Sequence, residues 1–192
     1  MALAKAIPEP RLYARVLGAQ WMQLDERVRR FHDDGSGRPR RGTFCIRRGR
    51  GVLARIAAVL FGFPRAGEAV ATRLVVTAET TAAGACETWH RTFGERDFIT
   101  RQWATADGLL GERHGCVELR LRLRAEDGAL AFASTRTAFA LGPLRLPLPR
   151  LFAPRVEARI AASDHGMQVR VALTAPLAGP MLEYEGGLED AR

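Results

Sequence analysis

Lysine is almost missing from this chain: of its 29 basic residues, only Lys5 is not an arginine. Nucleic-acid binders usually mix the two, because lysine serves as well as arginine as a point charge on phosphate. The net charge of +8 and the pI near 10.8 would suit such a surface. The imbalance, set among many alanines, reads instead as the coding bias of a GC-rich genome and argues against nucleic acid as a partner. Cysteine is scarce as well. Cys45, Cys86 and Cys116 are odd in number and far apart, with no C-x-x-C. That argues against a disulfide framework and makes a reducing cytoplasm the expected location. No apolar run reaches the ~18 residues of a membrane span. The N-terminus lacks the apolar centre of a secretory signal, so neither a signal nor a transmembrane segment is expected. Enzyme motifs are absent too: there is no G-x-S-x-G, H-E-x-x-H or Walker loop.

What remains is an ordinary globular balance, with 47% apolar and 26% charged residues among 192. It predicts a single domain over 1–192, frayed at 1–8 and 189–192. Apolar residues at three- to five-residue steps predict one helix over 9–32, followed by a loop at 33–37. A short strand over 42–48 and a more apolar helix over 52–61 come next, the latter closed by Gly62 and Pro64. From residue 70 the period changes to two, predicting strands over 71–80, 86–93, 98–105, 116–125, 130–141, 156–163 and 167–174. Short turns at 94–97, 127–128 and 164–166 make successive strands antiparallel. Four prolines within 142–154 forbid a central strand there and predict a stiff loop over one mouth. The expected fold is α+β: two N-terminal helices on a curved, mostly antiparallel sheet of about seven strands, a half-barrel or barrel.

An ordered set of short motifs accompanies this pattern. Leu12-Tyr13, Leu17-Gly18, Gly49-Arg50-Gly51 and Gly62-Phe63-Pro64 come first. Glu87-Thr88-Trp89-His90-Arg91-Thr92-Phe93-Gly94, Glu112-Arg113 with Gly115, Leu141-Gly142-Pro143-Leu144, Pro147, Pro154 and Tyr184-Glu185-Gly186 follow. Together they resemble the bacterial family catalogued as domain of unknown function 4166, over residues 12 to 188. Gly187 departs from the pattern, which has a tryptophan there. The resemblance implies no activity, cofactor or catalytic residue. It does imply a neighbour, an NAD(P)-dependent oxidoreductase, behind which such domains often sit.

The hairpin 86–105 carries the most chemistry. A four-residue turn at 94–97 would oppose Phe93 to Phe98, Arg91 to Thr100 and Trp89 to Gln102, and place all six with Glu87 on one face. Aromatic walls with one guanidinium and a few hydrogen-bonding groups suit an amphiphile with a carboxylate or phosphate head. The plainer alternative is that Arg91 pairs with Glu87 while Trp89 only packs, and the opposite face, with Thr88, His90, Thr92, Ile99, Arg101 and Trp103, stays open as the inner one. A second candidate is the acid-free stretch between Gly35 and Gly67, where Arg40, Arg41, Arg47, Arg48 and Arg50 could dock an anion or an acidic partner, or form a solvated face. Three weaker constellations complete the inventory. Cys86 and His90 with His114 and Cys116 could meet around zinc, but Val117 and Leu119 facing the core would turn His114 and Cys116 outward, and no metal is expected. Gly49-Arg50-Gly51-Val52-Leu53-Ala54 fits a dinucleotide fingerprint, yet no βαβ unit surrounds it and no cofactor is expected. Glu87 and Glu112 could form a carboxylate dyad.

The leading expectation is therefore a non-catalytic binding or accessory domain, holding a lipid-like ligand in a sheet cavity and associated with an oxidoreductase. The alternatives are an enzyme using that cavity for acid–base chemistry, and a basic interaction module without a pocket.

Overall fold

The structure, a computed structural model, describes residues 11–81 and 84–190. The predicted fraying at 1–8 and at 191–192 lies outside the described residues. Two short helices, α1 (Leu12–Leu17) and α2 (Glu26–Asp33), flank a 3-10 segment, Gly18–Gln23. Then come β1 (Ser36–Arg48), α3 (Val52–Leu60) and ten further strands: β2 (Gly67–Thr81), β3 (Gly84–Phe93), β4 (Arg96–Ala104), β5 (Leu110–His114), β6 (Val117–Glu126), β7 (Ala129–Leu141), β8 (Leu144–Pro147), β9 (Arg155–Ser163), β10 (Gly166–Ala175) and β11 (Gly179–Asp190).

All strand pairs are antiparallel. Around the ring the order is β6-β5-β4-β3-β2-β1-β11-β10-β9-β7, and β7 closes it by pairing with β6. The result is a closed ten-stranded barrel, with β8 hung on β7 outside the ring. About seven strands in a half-barrel understates it. Closure removes the sheet edges that an open sheet would expose. β1 begins at Ser36, inside the segment expected to be a loop, and β11 continues to Asp190, past the expected fraying point.

Along β6, Leu119, Leu121 and Leu123 turn inward while Arg120, Arg122 and Arg124 turn outward, as the period-two pattern requires. β11 repeats it: Leu182, Tyr184 and Leu188 are buried. Gly186 occupies the inward slot between the last two. A Cβ there would lie 2.1 Å from the Thr43 carbonyl oxygen and 2.7 Å from the Phe44 ring, so only glycine lets β1 approach this closely.

One barrel end is plugged by the N-terminal helices. The continuous helix expected over 9–32 is broken, because Gly18 leaves α1 at φ +55° and Asp25 starts a new helix by accepting the Arg27 N–H at 2.8 Å. The break lets Leu12, Tyr13, Leu17, Leu24, Val28 and Phe31 all turn into the barrel, each at most 6% exposed. The plug is fastened to the rim. The Asp25 N–H donates to Gly128 O at 2.8 Å, and Arg27 Nη1 donates to Ser163 O at 2.9 Å.

α3 lies across the opposite mouth. It leaves from the β1–β11 rim, where the Gly49 N–H donates to Met181 O at 3.0 Å, and it ends where Phe61 O faces His114 Nε2 of β5 at 2.9 Å. β5 stands half a turn round the ring from β1 and β11, so the helix spans the opening. Arg48 holds the return path: its Nε donates to Pro64 O at 2.6 Å and its Nη2 to Phe63 O. The proline-rich stretch does cover a mouth, as expected, with Leu148, Phe152 and Pro154 facing the interior; its first part is the edge strand β8.

Candidate ligand-binding cavity

Between plug and lid the barrel holds a cavity of about 440 Å³. That lies within the range of small-molecule sites, roughly 300–1,000 Å³. Its wall is overwhelmingly apolar, built from inward residues of nearly every strand, and includes Phe44, Phe93, Phe132, Val171 and Leu182. All six residues predicted from the hairpin, Trp89, Arg91, Phe93, Phe98, Thr100 and Gln102, line it. Their pairing differs from the expectation. The turn has two residues, Gly94-Glu95, so Phe93 opposes Arg96, Arg91 opposes Phe98, Trp89 opposes Thr100 and Glu87 opposes Gln102. A slip of two residues preserves which side chains share a face, whereas a slip of one would have reversed it.

Arg91 does not pair with Glu87. Its Nη1 donates to Thr100 Oγ1 at 2.9 Å, and its guanidinium carbon lies 5.0 Å from the centre of the Trp89 ring. Among the described residues no carboxylate comes within 4.0 Å of it. Glu87 instead accepts the Trp89 Nε1–H at 2.9 Å and is 3% exposed. Burial pushes its pKa up to about 7, against the Trp89 hydrogen bond, with Asp33 adding to the rise. It lies outside the cavity lining, behind Trp89.

Two polar wall residues come from β5, a strand the period-two reading missed. Leu110, Glu112 and His114 point inward. Their polar inner face is what hid the strand; its signal was a three-residue alternation between Gly108 and Gly115. His114 was expected outward with Cys116. The two-residue turn Gly115-Cys116 resets the alternation, so His114 and Val117 are cross-strand partners and both face the cavity. The His114 ring stacks on Phe98 with centroids 4.0 Å apart, and its Nδ1 lies 2.8 Å from Ile99 O. At the plug side, the Tyr13 hydroxyl donates to Gln102 Oε1 at 2.5 Å. Burial holds its pKa well above the usual phenol range, reinforced by the charges of Glu87 and Glu112 and opposed by Arg91. Tyr184 is raised by burial in the same way.

The zinc constellation does not assemble. His114 lies inside the barrel; His90 lies outside, with Nε2 2.9 Å from an Asp97 carboxylate oxygen, and Cys86 Sγ takes a hydrogen bond from Arg101 Nε at 2.9 Å. Among the described residues no group of three His, Cys, Asp or Glu could hold a metal. Gly49 and Gly51 form the turn from β1 into α3, and the strands around them are antiparallel.

The five arginines proposed for docking are not gathered into one patch. Arg40 is 4% exposed, donates to Asp34 Oδ2 at 2.8 Å and covers the Phe31 ring, so it is part of the plug's seat. Arg48 braces the lid. From Arg40 to Arg48 is about 26 Å along the strand at ~3.3 Å per residue. Arg41 and Arg47 are exposed on the outer wall, and Arg50 is exposed beside the lid.

The model of a family described as a domain of unknown function, DUF4166, matches residues 24–188, so α1 precedes the matched range. No curated protein and no solved structure matches the chain. Among the described residues no helix is long and apolar enough to cross a membrane.

Proposed function

Since the chain belongs to the DUF4166 family, whose description assigns no chemistry, we propose from its cavity alone that it is a binding domain for a small anionic amphiphile. The observation that carries this is Arg91: a guanidinium on an apolar cavity wall, held by Thr100 and Trp89 and without an ion-pair partner among the described residues. A cation taken from water needs compensation. A carboxylate or phosphate head supplies it through two parallel hydrogen bonds, while the aromatic and aliphatic wall takes the tail. An oxidoreductase would be the partner that consumes or supplies such a ligand, as the family resemblance suggests.

Catalysis is the second reading, favoured by Glu112 facing the same cavity. Binding ranks above it because Glu87 is buried behind Trp89 and already hydrogen-bonded, and both ring nitrogens of His114, the neighbour of Glu112 on that wall, are engaged by the backbone carbonyls of Ile99 and Phe61.

Titration with dodecanoate, followed by the tryptophan emission to which Trp89 in the cavity wall contributes, tests the proposal. Wild type saturates. Arg91→Ala binds weaker by about 1.5–3 kcal/mol, roughly 10- to 150-fold, the worth of a charge-assisted hydrogen bond. Arg122→Ala on the outer wall binds like wild type. Equal affinity of all three proteins would refute it.

A further inference from the structure

α3 is amphipathic in reverse. Its buried residues are the small ones, Ala54, Ala57 and Ala58; its large aliphatic residues, Val52, Leu53, Ile56, Val59 and Leu60, are 50–82% exposed. A helix packed only for stability would turn its bulky face to the barrel. Close seating is built in instead. A Cβ on Gly49 would lie 1.9 Å from Pro180 O and 2.7 Å from Ala54 Cβ, so glycine brings the helix start against the rim.

The exposed face is not isolated. Leu151 and Phe152, 54% and 58% exposed, stand on the neighbouring loop, and Leu177, 51% exposed, tips the β10–β11 turn beneath the start of α3. Phe152 is at once exposed and part of the cavity wall, so this apolar surface reaches the cavity mouth. A contiguous apolar surface of this kind marks an interaction site. Its charge is one-sided. Arg55 lies in α3, Arg50 and Arg65 flank it, and Arg150 and Arg155 stand at the loop; all five are exposed, and neither 36–67 nor 142–156 contains an acid, while Arg145 of the loop is already paired with Glu118.

We propose that this end of the barrel docks on an anionic lipid bilayer, α3 lying in the interface with its aliphatic face among the acyl chains and the arginines at headgroup level. Nine residues are far too few to span, and the pattern is that of a helix lying in the interface plane. The arginines beside α3 and the loop suit anionic headgroups. Docking would present the cavity mouth to the membrane, but it rests on the surface alone and stands whatever the cavity holds.

The test is co-sedimentation of the full chain with vesicles of phosphatidylcholine, with and without phosphatidylglycerol. Wild type binds the anionic vesicles, and raising salt from ~0.1 M to ~1 M releases it as the screening length shrinks from about 10 Å to about 3 Å. Ile56→Asp with Val59→Asp, and separately Arg50→Glu with Arg55→Glu, lower partitioning at least about tenfold. Neither double variant changes dodecanoate affinity in vesicle-free solution, which keeps failure here distinct from failure of the cavity reading. Val59→Trp, which keeps the surface apolar, is quenched by brominated lipid. No binding of wild type, unimpaired binding of the Ile56/Val59 variant, or an unquenched Val59→Trp overturns the proposal. So does a dimer, seen by light scattering, that the Ile56/Val59 variant breaks while vesicles are ignored.

Discussion

The barrel is closed at both ends by helices, and the two closures obey opposite rules. At the N-terminal end, α1 and α2 turn large residues inward and are fastened to the rim by Asp25 and Arg27. At the other end, α3 turns alanines inward and leucine, isoleucine and valine outward. The first helices are core: their packing is part of what makes the barrel stable. The third is a cover whose better-packing face is held in reserve. One fold thus separates the part that pays for stability from the part free to meet a ligand or a surface.

That contrast can be broken by experiment, and the largest effect is expected at the plug. Leu12 is 1% exposed, and Leu12→Ala should cost about 2–5 kcal/mol in urea unfolding, through lost burial and the cavity left behind. A loss below ~1 kcal/mol, the range of surface changes, would mean that the plug is as dispensable as the lid.

A pH effect of intermediate size is expected where the plug meets the wall. His32 is buried, with its pKa lowered to about 4, chiefly by burial and also by Arg40. It is neutral in the fold, so the unfolded chain binds more protons and stability falls as pH drops from about 6.5 towards 4. Glu87 works the other way. With its pKa raised to about 7 from 4.5, the folded state binds more protons, and stability falls as pH rises from 4.5 through 7. Between 4.5 and 6.5 the two oppose each other. Glu87→Gln keeps an acceptor for Trp89 and removes one side of the balance. Its stability should climb with pH from 4.5 to 6.5 more steeply than that of wild type, by up to about 1.4 kcal/mol per unit. Parallel profiles would show that the buried pair does not titrate as described.

The smallest effect belongs to the lid. Val59 is 82% exposed, and Val59→Ser should change stability by no more than ~0.5 kcal/mol, measured in the same urea series as Leu12→Ala. A large loss would show that α3 is packed like the plug and that its outer face is structural.

The same contrast governs what could be read from the sequence. Where the barrel interior is apolar, as along β6, alternation revealed the strand and its facing. Which hairpin residues share a face was legible too, since a wrong turn length shifted the register by an even number; which of the two faces is interior was not, because both carry aromatic and polar residues. What escaped was polarity turned inward or regularity interrupted. β5 places Glu112 and His114 inside, so the strand that adds the most chemistry to the wall looked least like a strand. β11 carries its alternation through Gly186 and Gly187, residues that ordinarily mark a turn. Gly18 and Asp25-Glu26 did signal the helix break, but a smooth apolar period over 12–31 outweighed them. The cavity itself, set by how ten strands close, had no local signature beyond its six hairpin residues.

What the cavity takes up is shown most directly by a crystal structure of the protein with dodecanoate. The carboxylate should lie within hydrogen-bonding distance of the Arg91 guanidinium, with the chain running among Phe44, Phe93, Val171 and Leu182 towards the lid. Dodecanoate found only on the outer surface, or with its carboxylate away from Arg91, would contradict the binding proposal.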